Sequence, residues 1–152
     1  MFWLEEYEIN PSTCILIPID KYHTKVIELE NELIIPLSTL EILDYSCRYY
    51  GSSYLGRKAG SINILKNIYK IPIIVEESRN IIFFPLSSPR YHHATWISLG
   101  QIKSYRKKEN ITEVIFQNNQ KMTLEISYQA FQNQVLRASY LEIVSNNRKN
   151  KE

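Results

Sequence analysis

Residues 46–60 read Ser46-Cys47-Arg48-Tyr49-Tyr50-Gly51-Ser52-Ser53-Tyr54-Leu55-Gly56-Arg57-Lys58-Ala59-Gly60, and they gather most of the chain's conspicuous chemistry. They hold three of its four glycines, three tyrosines, three cations and no carboxylate. Glycine lets a backbone come close to a partner, while Arg, Lys, Tyr and Ser offer contacts suited to phosphate and sugar. A core segment does not collect cations, and an ordinary surface loop does not collect so many rings. By composition the stretch is a candidate nucleic-acid contact.

Other chemistries fit less well. Gly51 and Gly56 have the spacing of a phosphate-binding P-loop, but that motif needs a Lys and then a Ser or Thr to hold phosphate and magnesium. Arg57 and Lys58 stand there instead, and the loop leaves a helix rather than a strand. Nucleotide hydrolysis is therefore not expected. Cys47 falls on an apolar helical stripe and reads as a core residue rather than a catalytic thiol. The adjacent His92 and His93 lack a Cys or Asp nearby to complete a tetrahedral metal set. With Arg90 and Tyr91 they read better as a loop reaching a groove or a phosphate. No carboxylate pair or Ser-His-Asp set is visible, so no enzyme activity, metal or cofactor is expected.

The 152-residue chain is long enough for one domain with a real core. Its 44% hydrophobic and 22% charged residues suit an ordinary globular protein, and two cysteines suit a reducing cytoplasm. Met1-Phe2-Trp3-Leu4 is apolar, but Glu5, Glu6 and Glu8 follow, so no secretory signal or membrane span is expected. The net charge of +2 hides a division: residues 1–47 carry nine acids against two bases, whereas residues 48–152 carry sixteen bases against seven acids. Such asymmetry suggests a polyanion partner for the later part of the chain, or else a solvated acidic face and scattered solubility bases.

These residues must be positioned by an α+β fold: a single domain, mostly antiparallel sheet, with two central helices near 38–50 and 53–65 and a C-terminal helix near 128–144. Strands are expected at 14–19, with Pro18 marking an edge or a strand end, and at 24–29 and 32–35 as a pair. The order Ser38-Thr39-Leu40-Glu41 is a capping box, and Leu40, Leu43, Cys47 and Tyr50 make one apolar stripe behind it. Asp44 and Arg48 form an i,i+4 pair, and Gly51 sits where a left-handed cap belongs. Ser52 or Ser53 caps the second helix, with Leu55, Ala59 and Ile62 expected on its buried side. Gly56 and Gly60 each cost roughly 1 kcal/mol of helix propensity, offset by tight packing inside the domain or by a close-approaching partner. A hairpin over 73–84, strands at 95–99 and 101–107, and a hairpin turning at Asn118-Asn119 complete the sheet. On the last helix Tyr128, Phe131, Val135 and Ala138 are expected inside. Gln129, Asn133, Gln134 and Arg137 are expected on the open face, and residues 146–152 as a frayed basic tail.

The order Ser46-Cys47-Arg48-Tyr49-Tyr50-Gly51-Ser52-Ser53-Tyr54, then Gly56-Arg57-Lys58-Ala59-Gly60, resembles the signature of the bacterial competence transcription factors, the ComK family. Asn80-Ile81-Ile82-Phe83-Phe84-Pro85, Trp96-Ile97-Ser98, and Ile126-Ser127-Tyr128 leading to Asn133-Gln134-Val135 extend the resemblance from about Glu6 to about Leu141. The resemblance implies a sequence-specific DNA-binding regulator of competence (DNA-uptake) genes. Family members bind paired AT-rich boxes in double-stranded DNA, largely through the minor groove, as dimers that assemble into tetramers. Arg48, Tyr54, Arg57, Lys58 and Lys66 are the first expected contacts. The run Arg106, Lys107 and Lys108, with Asn133 and Arg137, stands behind them.

Longer members continue past the final helix with a tail tied to activation and a short hydrophobic motif read by a proteolytic adaptor. The present sequence stops at Glu152, so the adaptor is a doubtful partner and weak activation is expected. The expected place is the cytoplasm, at the nucleoid. A competing reading is an interaction module that forms mixed oligomers with a longer relative through its acidic N-terminal sheet and never touches DNA. A phosphate-ligand binder built on the glycine-rich stretch is the third.

Overall fold

In the computed structural model the described residues are 2–3, 5–89 and 93–151, with the backbone alone at 2 and 3. The strands are β1 (Phe2–Trp3), β2 (Thr13–Asp20), β3 (His23–Glu28), β4 (Glu32–Ile35), β5 (Ile73–Glu76), β6 (Ile81–Pro85), β7 (Trp96–Ser98), β8 (Ile102–Lys108), β9 (Ile111–Phe116) and β10 (Lys121–Leu124). The helices are α1 (Thr39–Tyr49), α2 (Tyr54–Leu65) and α3 (Tyr128–Lys149). Strands form a seven-stranded sheet in the order β1-β4-β3-β2-β7-β6-β5 and a three-stranded sheet in the order β10-β9-β8. β1 runs parallel to β4, and the other pairings are antiparallel. The fold is the expected α+β domain.

Alternation along the strands builds two cores. Neighbouring side chains on a strand point to opposite faces. Leu16, Val26, Ile73, Val75, Phe83 and Trp96 accordingly pack on one side, with Ile42, Leu43 and Cys47 of α1. Their neighbours Ile15, Ile27, Ile74, Ile82, Phe84 and Ile97 pack on the other, with Val114 and Phe116 of the small sheet and Phe131, Ala138 and Leu141 of α3. The nearly continuous apolar runs of β5 and β6 follow, because both of their faces are covered. Pro18 pairs with Thr24 of β3 but lies beyond the short ladder that β2 shares with β7, where its missing N–H costs no bond.

The capping box at Ser38 forms as expected: the Glu41 amide donates to Ser38 Oγ, and the Ser38 amide donates to Glu41 Oε1. Gly51, at φ +93°, turns the chain from α1 into α2 through a conformation that L side chains rarely adopt. α2 departs from expectation. Its Tyr54 and Ile62 pack on one core and its Ile64 and Leu65 on the other, so it lies across the edge of the large sheet beside β5. That placement covers an edge strand and turns Leu55, 73% exposed, and Ala59 outward. The expected burial of Leu55 and Ala59 is therefore corrected: an edge-straddling helix buries two narrow lines rather than one stripe.

α3 also differs. It continues five residues past the expected end, through Lys149, and takes in much of the stretch read as a frayed tail. Arg148 donates to Asn63 Oδ1 at 3.1 Å and Lys149 to the Glu77 carbonyl at 2.9 Å, which fastens its last turn. Gln134, expected on the open face, is 4% exposed and donates to the Lys70 and Pro85 carbonyls at 3.0 and 2.8 Å.

Candidate nucleic-acid interface

α2 is a twelve-residue helix whose sequence holds two cations and no acid. Ser53 caps it, accepting a hydrogen bond from the Gly56 amide at 3.0 Å. Asp44 of α1 joins two of the expected contacts. One of its oxygens accepts the Tyr54 amide at 2.9 Å, and the other accepts Arg48 Nε at 2.8 Å. Burial works against the Asp44 carboxylate, yet these two bonds and the Arg48 charge hold its pKa below the usual value. The anchored Arg48 thus stands at the open end of α2. Tyr54 itself turns inward, its ring edge-on to the buried Trp96 at 6.2 Å, and burial pushes its phenol pKa up.

The outward face of α2 is bare. A Cβ at Gly60 would meet nothing within 4 Å, and one at Gly56 would meet only the Ser53 and Ser52 hydroxyls. The glycines are therefore not spent on tight packing inside the domain. Lys58 lies on another side of α2 and lines a depression of about 340 Å³ with Tyr69, Lys70, Ser88 and Pro89. Lys66 caps α2 in the left-handed conformation at φ 57° and is exposed. Arg57 is more constrained: its side chain is 19% exposed, and Nη1 bonds Glu77 Oε1 at 2.7 Å. The expected loop contacts Arg90, Tyr91 and His92 lie outside the described residues, and His93 is exposed.

The remaining expected contacts lie elsewhere. Arg106, Lys107 and Lys108 project from β8, an edge of the small sheet, where charge also discourages strand addition. Arg106 bonds the buried Glu113 at 2.7 Å, and Lys108 lies 3.6 Å from it. Desolvation opposes the Glu113 charge, but Arg106, Lys108 and Lys121 together bring its pKa below the usual value. Tyr105 of β8 packs on Tyr128 at the start of α3, while Arg148 near its end holds α2. At 1.5 Å per residue these two basic groups sit at opposite ends of a helix about 30 Å long. Asn133 is exposed on α3 and accepts from Gln129 at 3.0 Å. Arg137 is committed to the main chain, donating to the Tyr69 and Lys70 carbonyls at 2.7 and 3.2 Å. It fastens the loop after α2, and its desolvated guanidinium has a lowered pKa.

Sequence reasoning missed Lys70, Tyr69, Arg148 and Lys149, all brought beside α2 by the fold. Only the charge of the last two was visible, and the expected end of α3 set them apart from the domain. No helix among the described residues is long and apolar enough to cross a membrane. No group of three His, Cys, Asp or Glu that could hold a metal occurs among them either.

The assembled features (a capped, acid-free helix with a bare glycine face, ringed by cations) stand on the stretch that carries the resemblance. A family model described as ComK protein matches residues 4–150. The chain belongs to the ComK family. It is 42% identical over 142 residues to the competence transcription factor of Bacillus subtilis (strain 168), covering 91% of this chain and 74% of that one. No solved structure matches.

Proposed function

We propose that this ComK-family protein is a regulator of competence transcription that binds double-stranded DNA at AT-rich promoter boxes, acting as an oligomer at the nucleoid. The observation that carries the reading is α2, an acid-free helix that carries Lys58 on one side, exposes Lys66 at its C-terminal cap and has a Cβ-free exposed position at Gly60. A nucleic-acid backbone can approach such a position closely. In a narrow AT-rich minor groove the negative potential attracts inserted Lys and Arg, and groove shape supplies much of the specificity. Arg48, Lys58 and Lys66 are the primary contacts, with Tyr54 setting the helix start and Arg57 joining once released from Glu77. Arg106, Lys107 and Lys108 reach DNA farther along the duplex or from a second subunit. Asn133 lies on the open side of α3, and Arg137 contributes by holding the loop that carries Lys70.

A second reading is favoured by the acidic N-terminal third, which occupies the far edge of the large sheet. There the chain pairs with a longer relative and leaves DNA alone. Promoter occupancy separates the two. The DNA-binding reading expects the double substitution Lys58→Ala with Lys66→Ala to abolish occupancy while mixed-oligomer formation persists. Unchanged occupancy favours the interaction module.

A further inference from the structure

A cleft of about 550 Å³ opens between α2, the end of α3 and the β5–β6 turn, lined among others by Gly56, Arg57, Gly60, Ser61, Glu77, Arg148 and Lys149. Three cations face one carboxylate across it. Two polar atoms in its floor lack a hydrogen-bond partner among the described residues: Ser61 Oγ and Arg57 Nε. Ser61 is 2% exposed, so its hydroxyl is withheld from water without compensation, a cost that buried polar groups rarely carry. Arg57 and Ser61 are one turn apart on the same helical face. Glu77 holds Arg57 by one nitrogen at the rim, at 2.7 Å. Arg148 and Lys149 each spend a donor on Asn63 and the Glu77 carbonyl, and a guanidinium and an ammonium both have more to give. The two glycines leave the wall between these donors without side chains.

We propose that this cleft is a phosphate-binding site. A phosphate group entering it takes charge-assisted hydrogen bonds from Arg148 and Lys149 and draws the Arg57 guanidinium away from Glu77. A side-chain rotation then lets Ser61 Oγ donate from the floor. The tetrahedral oxyanion suits this donor set better than a carboxylate does, because its oxygens can meet donors arriving from α2, α3 and the floor together. The group comes either from a free phosphate compound or from a DNA backbone phosphate. The site stands on its own geometry and does not depend on the regulator reading.

The test measures thermal stability of the full chain in inorganic phosphate against chloride at matched ionic strength. It also measures DNA binding across a salt series for the same proteins. Wild type, Arg148→Gln with Lys149→Gln, Ser61→Ala and Glu77→Gln are compared. If the source is free phosphate, phosphate stabilises wild type, the double variant binds it roughly tenfold more weakly, and Ser61→Ala also weakens it. Glu77→Gln, which removes the competing acid, binds it more tightly. If the source is DNA, phosphate gives no specific stabilisation, and the double variant lowers the log–log salt slope by about one or two per subunit. Neither effect in any variant overturns the proposal. Phosphate binding without any DNA binding leaves the site intact and removes the regulator reading instead.

Discussion

At the scale of single residues, two side chains carry consequences that do not depend on DNA. Gln134 spans from α3 to the Lys70 and Pro85 carbonyls. Gln134→Ala takes the side-chain donor from the buried Pro85 carbonyl, leaves the Lys70 carbonyl to Arg137, and is expected to cost about 2 kcal/mol in chemical denaturation. Asn133→Ala, one position away on the exposed face, should stay within about 0.5 kcal/mol. Equal effects would mean that the amide bonds contribute nothing. Glu76 gives a pH signature. Its pKa falls from the ordinary 4.5 to about 2: desolvation resists the charge, and bonds from Ser78 and Arg79 overcome it. Because the folded value lies below the unfolded one, the contribution is present above about pH 4.5 and is lost as pH falls toward 2. Denaturation midpoints measured across that window should fall in wild type and fall less in Glu76→Gln.

At the scale of elements, α2 joins folding to function through its glycines. Nothing stands within 4 Å of a Cβ at Gly60, so Gly60→Ala should raise stability by about 1 kcal/mol through helix propensity alone. The same methyl intrudes on the bare face, so DNA affinity should fall while the melting temperature rises. Affinity unchanged in a stabilised variant would separate that face from DNA. This element also marks where the sequence stopped being readable. The capping box Ser38–Glu41, the Asp44–Arg48 pair and the turn at Gly51 depend on neighbours within a few residues, and all three are present. Which face α2 buries depends on its crossing the β5 edge, a contact between distant segments that no helical period encodes. Leu55 looked buried because it is apolar, and Gln134 looked exposed because it is polar. Each was decided by a partner far along the chain. The last turn of α3 is held by Asn63 and Glu77 rather than by its own apolar stripe, so its pattern alone gave no reason to extend it.

At the scale of the whole molecule, charge is polarised across the large sheet. The strands of the acidic N-terminal third occupy one edge and α2 covers the other, about 30 Å away for seven strands at their usual spacing. Such a distribution orients the molecule toward a polyanion and lets the acidic edge stay in solvent or meet another subunit. The basic run of β8, at the opposite end of α3 from the tip of α2, extends the positive surface along a duplex rather than into the same groove position. The most direct test is equilibrium binding to a duplex with two AT-rich boxes, against a GC-rich control, across a salt series. A dimer engaging about four phosphates per subunit should show a log–log slope near −7 and prefer the AT-rich duplex. Lys58→Ala with Lys66→Ala should make that slope shallower by about 3 to 4 units. An absence of binding at moderate salt, or a slope and preference unaltered by that double substitution, would contradict α2 as the DNA-contacting element.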